Sequence, residues 1–232
     1  MGVTANTTAK LTSQHGLFYN YLTNIFSKEY AKKYFEANED AIKLTKSIIE
    51  KENIECDYEE QDAYVYTKVE SELPKIKEEV DAMKAFGVNA EFVTKTGLPF
   101  DILGAVKLKN QAKFHPLKYL IGILDYLETT NCNLFEHSKV IDVKKKDGFY
   151  SVITNDYTVT SKYVVLSTHY PIINFPGLHF LKMYQDRSYI IAIETGEKLF
   201  DGIYISSESP VISFRTAKYG GSELLLIAGR RS

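Results

Sequence analysis

The sequence predicts an α/β fold with α+β character, and three observations predict it. Apolar residues recur at helical spacing through much of the first half, strand-length segments separated by turn residues fill the second, and the pattern changes near Phe114 and again near Pro171. Two interleaved parts fit those changes better than one linear boundary. At 232 residues the chain can bury a substantial core, as one large domain or two small ones, and it contains neither internal repeats nor a low-complexity linker.

From Ser27 to Asn53 the residues Tyr30, Tyr34, Ala37, Ala41, Leu44, Ile48 and Ile49 are three or four positions apart, which places them on one face of a long helix. Ser27 suits its N-cap, and Glu29 in the first turn complements the helix dipole. A short strand is expected at Ala63–Thr67. The next helix starts at Ser71 or Glu72, carries Pro74 in its first turn, buries Leu73, Ile76, Val80 and Met83, and stops at Gly87. Strands follow at Asn89–Val93 and Ala105–Phe114. Phe114-His115-Pro116 then opens a helix with an apolar stripe of Leu117, Leu120, Ile121, Leu124 and Leu127, His115 serving as a cap or turn residue.

Beyond Asn131 the reading is of strands. Asn133–Glu136, Lys139–Lys145, Phe149–Thr154 and Thr158–Val165 form an antiparallel meander punctuated at Asp147-Gly148 and Asn155-Asp156. The apolar run Tyr163–Ser167 reads as a strand buried on both faces. Arg187–Glu194, Gly202–Ser206, Val211–Arg215 and Glu223–Ala228 fit a second sheet, with Gly220-Gly221 as a turn.

Composition excludes several kinds of chemistry. A net charge of -2 argues against a phosphate-backbone binder, which needs a basic face. No window approaches the apolar length of a membrane span and no signal-peptide pattern is visible, so a soluble, cytoplasmic protein is expected. Cys56 and Cys132 are far apart and lack a CxxC, which speaks for buried free thiols. No two His or Cys residues stand at ligand spacing, and no GxSxG nucleophile elbow occurs, so neither a metal centre nor a serine hydrolase is predicted.

The opening segment, residues 1–16, is rich in small hydroxyl side chains, with Lys10 as its one cation. Its amides and hydroxyls suit phosphate oxygens, and Lys10 can neutralise one charge; on composition alone a polar, poorly ordered terminus is the better explanation. Arg187 and Arg215 lie on expected strands, where a guanidinium fork can clamp a carboxylate or simply pair with an acid.

A set of segments carries a resemblance that periodicity does not. Residues 2–12, Cys56-Asp57-Tyr58, Asp62–Tyr66, Gln111–Pro116, Ser167–Pro171, Asp186–Tyr189 and Gly202–Ile205 together resemble the FAD-dependent oxidoreductases of the D-amino acid oxidase and glycine oxidase superfamily, most of all the bacterial branch with a Rieske iron-sulfur domain. The resemblance covers essentially the whole chain. It implies a partial FAD-binding domain formed by residues 1–25 and 116–170, interleaved with a mixed-sheet substrate domain of residues 26–115 and 171–232. The GxGxxG turn that cradles the pyrophosphate in such folds does not occur in the chain, so an internal fragment, inactive alone, is expected.

The resemblance also implies roles. Thr4, Thr7, Thr8, Ala9, Lys10 and Thr12 match the loop along the flavin phosphate and ring edge, with His15 facing the ring. Lys10 is placed to stabilise negative charge on reduced flavin. Val140 matches the position whose backbone meets adenine. Thr168 and His169 match the turn approaching the dinucleotide, His169 standing where relatives have glycine. Arg187 and Arg215 are the candidate substrate ligands. The implied reaction is oxidation of a small-molecule amine or amino acid by hydride transfer to FAD, with the parent's iron-sulfur domain as electron partner. Two alternatives stay open: a non-enzymatic binding module on the same fold, and a flavin enzyme acting on tRNA, which the acidic balance disfavours. Exposed strand edges predict self-association.

Overall fold

The computed structural model describes residues 3–174, 177–196 and 198–230; Gly2 of the opening motif lies outside them. The chain divides into two compact units, one made of Thr130–Arg187 and the other of the segments on either side.

The larger unit starts with a 3-10 turn at Val3–Asn6 and continues through β1 (Lys10–Leu11), α1 (Tyr19–Ile25), α2 (Lys28–Lys51), β2 (Glu59–Thr67), α3 (Leu73–Ala85), β3 (Glu91–Val93), β4 (Gly104–Lys113) and α4 (Pro116–Glu128). The smaller unit holds β5 (Val140–Lys146), β6 (Phe149–Thr154) and β7 (Thr158–Ser161). The chain then returns through β8 (Ser188–Glu194), β9 (Ile203–Ser206), β10 (Ile212–Tyr219) and β11 (Ser222–Arg230). The opening segment is thus less irregular than its composition suggests, because Lys10 and Leu11 pair with Lys113 and Ala112 of β4.

Seven strands of the larger unit follow the order β1-β4-β2-β9-β10-β11-β8, with β3 also on β4. The seam between β2 and β9 is parallel, Ala63 facing Ile203 through Tyr66 facing Ser206, and the other pairings are antiparallel. Alternation along β2 and β4 sends side chains to two cores. Val65, Val106 and Leu108 join the helices through Tyr19, Leu22, Ile76, Val80 and Met83, while Tyr66 and Ala105 join Leu98, Ile102 and Tyr204 on the opposite face. Gly220 and Gly221 both take positive φ, +56° and +89°, and close the two-residue β10–β11 hairpin with the twist such turns require.

Helix boundaries follow their signals. Ser27 Oγ accepts the Tyr30 N–H at 3.1 Å, Gly87 ends the turn after α3 at φ +92°, and His115 Nδ1 accepts the Lys118 N–H at 3.3 Å ahead of Pro116. The buried face of α2 differs from the expected one. Ala31, Ile42 and Ile49 are buried, whereas Tyr30, Ala37, Ala41 and Leu44 face outward. The stripe is displaced by one residue, because Phe35 and Tyr34 turn toward Tyr19 and Phe18 of the α1 region and fix the rotation. In α4 the packed residues are Tyr119 and Ile123 against Ile54 and Cys56, while Leu120, Ile121 and Leu124 are exposed.

α1 has no sequence signal that marked it. Its start is held by Glu79, a fully buried carboxylate on α3 that accepts the N–H groups of Phe18, Tyr19 and Asn20 at 2.7–2.8 Å.

In the smaller unit β5, β6 and β7 form the expected meander, with Asp147 and Gly148 both at positive φ in the hairpin. Two expectations fail there. Residues 133–136 are irregular, and Tyr163–Ser167 is neither a strand nor buried: Tyr163 is 77% and Val165 86% exposed. A strand needs a ladder partner, and among the described residues this run pairs with none. An apolar run shows that a segment favours burial, not what would bury it. No helix of the described residues is long and apolar enough to cross a membrane.

Candidate functional site

In the larger unit a cavity of about 490 Å³ is lined by Asn6 and Thr7 of the opening segment, by Lys113 to Pro116 at the junction of β4 and α4, and by faces of β8, β10 and β11. The segment that reaches it is built locally. Thr7 Oγ1 accepts the Ala9 N–H at 3.2 Å and Thr12 Oγ1 accepts the Gln14 N–H at 3.0 Å, so both hydroxyls brace turns while keeping their own O–H free to donate. Ala9 takes φ +43°, which delivers Lys10 into its two-residue ladder with β4.

Immediately beyond, a buried network anchors the loop. The Ser13 N–H donates to Gln111 Oε1 at 2.7 Å and the Ser13 hydroxyl to Glu39 Oε1 at 2.7 Å; Gln111 Nε2 also reaches Glu39 at 3.0 Å, and the Tyr19 hydroxyl donates to the Ser13 carbonyl. Loop, β4, α1 and α2 are thereby joined through hydrogen bonds, which fixes the loop against β4. His15 lies apart, exposed, with Nε2 3.2 Å from Asn38 Oδ1 and its ring at the edge of Tyr34.

The deep wall is cationic. Lys113 is 5% exposed and donates its ammonium to Thr216 Oγ1, a contact from β4 to β10 that the curl of the sheet makes possible. Glu59 Oε2 lies 3.4 Å from the same ammonium. Arg215, also 5% exposed, makes no ion pair among the described residues. Among the described residues it makes a long contact from a terminal guanidinium nitrogen to the Thr216 carbonyl at 3.5 Å, and its Nε has no partner. Burial draws its pKa down to about 10, so it remains charged near neutrality. The Lys10 ammonium is pulled down to about 8, first by burial and second by the charge of Arg215. A guanidinium offers five N–H donors in a planar fork, and a buried one without a carboxylate is costly unless a ligand supplies the anion. The acids of the cavity wall each have a partner: Asp57 with Lys118 at 2.7 Å, Glu59 with Lys113 of the same wall, and Glu223 with the Leu199 N–H at 3.3 Å.

These observations test whether a flavin-sized anionic cofactor fits the opening segment. The amide of Gln14, nearly fully buried, has neither its oxygen nor its nitrogen paired among the described residues, and Lys10 has no acidic partner there. An orphaned buried amide suits a polar ring edge or a phosphate, so the segment fits one side of such a group.

Of the residues singled out in the sequence, Thr4, Thr7, Thr8, Ala9, Lys10, Thr12, His15 and Arg215 belong to the larger unit, and Lys10 and Arg215 sense each other electrostatically. Val140, Thr168, His169 and Arg187 belong to the smaller one. Val140 is half-buried opposite Thr154 in the meander. Thr168 donates to the Tyr170 carbonyl at 2.8 Å, and His169 adopts φ +62°, the left-handed conformation that a glycine would favour at that position. Arg187 is exposed and precedes β8, its N–H held by Asp186. Lys113 and Thr216 were not singled out. Lys113 reads as one polar position of an alternating strand, and only the curl of the sheet brings it to Thr216.

Comparison with known proteins bears on this geometry. The family described as FAD dependent oxidoreductase matches residues 1–229. A protein of Bacillus subtilis named as the Rieske 2Fe-2S iron-sulfur protein YhfW is 33% identical over 228 residues, which is 98% of this chain and 45% of that one. The chain thus spans about half the length of that relative. Among solved structures, glycine oxidase from Geobacillus kaustophilus superposes with a TM-score of 0.67 at 13% identity, covering 99% of this chain and 62% of the other. L-amino acid deaminase from Proteus vulgaris gives 0.65 at 12% identity, covering 96% and 51%. At these identities the structural likeness shows the fold alone.

Proposed function

Since this chain belongs to the family of FAD-dependent oxidoreductases, we propose that it provides the substrate-facing wall of a flavin site at which an amino acid is oxidised, with Arg215 holding the substrate carboxylate. The observation that carries the reading is Arg215 itself, a buried guanidinium in a cavity wall that makes no ion pair among the described residues. FAD, when bound, supplies the hydride acceptor.

The contribution of the chain is orientation. A fork-to-carboxylate pairing fixes one end of an amino acid and thus the direction of its Cα–H bond. The apolar side chains of Ile190, Leu224 and Leu226 line the remainder of the cavity. Thr4, Thr7, Thr8, Ala9, Lys10, Thr12 and His15 are assigned to the flavin phosphate and ring edge, Val140, Thr168 and His169 to the adenosine side, and Arg187 to a subsidiary substrate contact. The assignment of residues 1–25 and 116–170 to the flavin and the remainder to the substrate goes with this reading. The name of the Bacillus subtilis relative supports an iron-sulfur domain as electron partner. The exposed edge strand β8 supports self-association.

The test is reconstitution. The chain is incubated with FAD, freed of excess by gel filtration, and read for flavin absorbance and for anaerobic bleaching by a panel of amino acids and simple amines. Bleaching by amino acids that is lost in Arg215→Gln is expected. A colourless protein with no releasable flavin refutes cofactor binding by this chain, and equal bleaching by amines and by Arg215→Gln refutes the carboxylate role.

A further inference from the structure

Polar and apolar groups are unevenly distributed on the cavity wall. Asp57, Glu59, Lys113 and His115 come from the β2 and β4–α4 side, while Lys218 and Glu223 face each other in the register near the tip of the β10–β11 hairpin. The remaining wall is sheet. Arg215 on β10 is the register partner of Leu226 on β11, and Leu226 is the partner of Ala192 on β8. Residues paired directly across antiparallel strands project from the same face, so the three side chains form one row across the sheet, and all three line the cavity. Ala217 paired with Leu224 forms the next row, and Ile190 flanks Ala192 on the other side. Ile191 and Ile193 do not line the cavity, in keeping with strand alternation. Burial falls along the row: Arg215 is buried, Leu226 half-buried, and Ala192 exposed on an edge strand. With neighbouring strands about 4.8 Å apart, the row spans about 10 Å from the Arg215 backbone to that of Ala192.

We propose that Leu226 and Ala192 form the side-chain subsite, which selects amino acids with a long or branched apolar side chain over glycine and over charged side chains, and that Ala192 sets its outer limit. The proposal rests on Arg215 holding the carboxylate, and adds what the rest of the substrate must be. With the carboxylate on the deep guanidinium, the uncharged strip of wall beside it is Leu226 and then Ala192. An apolar chain laid there takes its own surface and that of Leu226 out of water, which is worth about fourfold in affinity for each fully buried CH2; glycine covers neither. A charged side chain would lose hydration with no partner in the row. The single methyl of Ala192 leaves the outer end open, so length is tolerated.

The probes are propionate, pentanoate and glutarate, titrated into chain labelled at its leucine methyl groups and read by NMR on Leu224 and Leu226. In the wild type each added methylene is expected to tighten binding about two- to fourfold, so pentanoate exceeds propionate by about four- to sixteenfold, and glutarate binds more weakly than pentanoate. Leu226→Thr should bring the pentanoate-to-propionate ratio toward one. Ala192→Lys, a substitution at an exposed edge position that the fold tolerates, should reverse the order and make glutarate the tighter ligand. Equal binding of propionate and pentanoate by the wild type, or an unchanged order in Ala192→Lys, overturns the subsite. Arg215→Gln, checked for native chemical shifts elsewhere, separates the two readings. If it binds propionate like the wild type, the carboxylate role fails and the subsite with it; if it abolishes binding while chain length has no effect in the wild type, the subsite alone falls.

Discussion

Glu79 Oε1 lies 2.8 Å from the Tyr19 backbone nitrogen, so a carboxylate on α3 closes the start of α1. The same side chain takes the N–H groups of Phe18 and Asn20, and its removal leaves one buried and two partly buried donors without acceptors. Glu79→Leu should cost about 2–4 kcal/mol, on the basis of roughly 1–3 kcal/mol for each unsatisfied buried group that structural relaxation cannot rehydrate. Urea unfolding at pH 7 measures it, and a change below about 0.5 kcal/mol would show that the donors find water.

Lys10 contributes to stability with the opposite sign from an ordinary surface lysine. Its folded pKa, about 8, lies below the ordinary 10.5, so its contribution is complete above 10.5 and is lost as pH falls through about 8. Lys10→Met should therefore be more stable than the wild type at pH 7 by on the order of 1–3 kcal/mol, with the difference vanishing toward pH 10.5. Thermal unfolding of both proteins across that range checks the sign. A less stable variant at pH 7 would mean that an unrecognised partner holds the ammonium.

Gly122 in α4 has no room for a side chain, since a Cβ there would meet Ile54 Cγ2 at 2.5 Å. Gly122→Ala gains about 1 kcal/mol of helix propensity yet should lose about 1–3 kcal/mol net by overpacking. In an Ile54→Ala background the same substitution should become neutral or stabilising. A double-mutant cycle by chemical denaturation reads the change of sign.

Gln111 joins β4 to the opening loop through Ser13 and to α2 through Glu39. Gln111→Leu should destabilise by about 2–3 kcal/mol, because the Ser13 N–H and the Glu39 carboxylate both lose a buried partner. The local effect should exceed the global one. Hydrogen exchange at Lys10, Leu11 and Ser13 is expected to accelerate more than exchange in the β10–β11 hairpin, and uniform acceleration would place the network outside the control of the loop.

What could be read in the sequence depended on how far apart the partners are. α3 and the β10–β11 hairpin were legible because Pro74, Gly87 and Gly220-Gly221 act within a few residues of themselves. α2 was legible in extent but misread in rotation, since the packing of Tyr34 and Phe35 on residues near Tyr19 decides which side faces in. Tyr163–Ser167 was misread because burial depends on a partner, and composition reports only the preference. In the site, Arg215 and Lys10 stood out as cations in unusual settings. Lys113, Thr216 and Glu79 did not, because each gains its meaning from a contact with a distant element.

The parallel seam has a consequence for how the molecule comes into being. Its two strands are drawn from opposite ends of the chain, and the joint is reinforced by the Ser207 N–H on the Tyr66 carbonyl and by Glu208 on Thr67 and Lys68. Every residue of Thr130–Arg187 must leave the ribosome before β9 arrives to close the middle of the sheet. Until then β2 is an open edge with half its ladder missing. Such non-local closure slows folding and prolongs the exposure of apolar strands, so during synthesis this chain depends on protection from chaperones more than its helices alone would suggest.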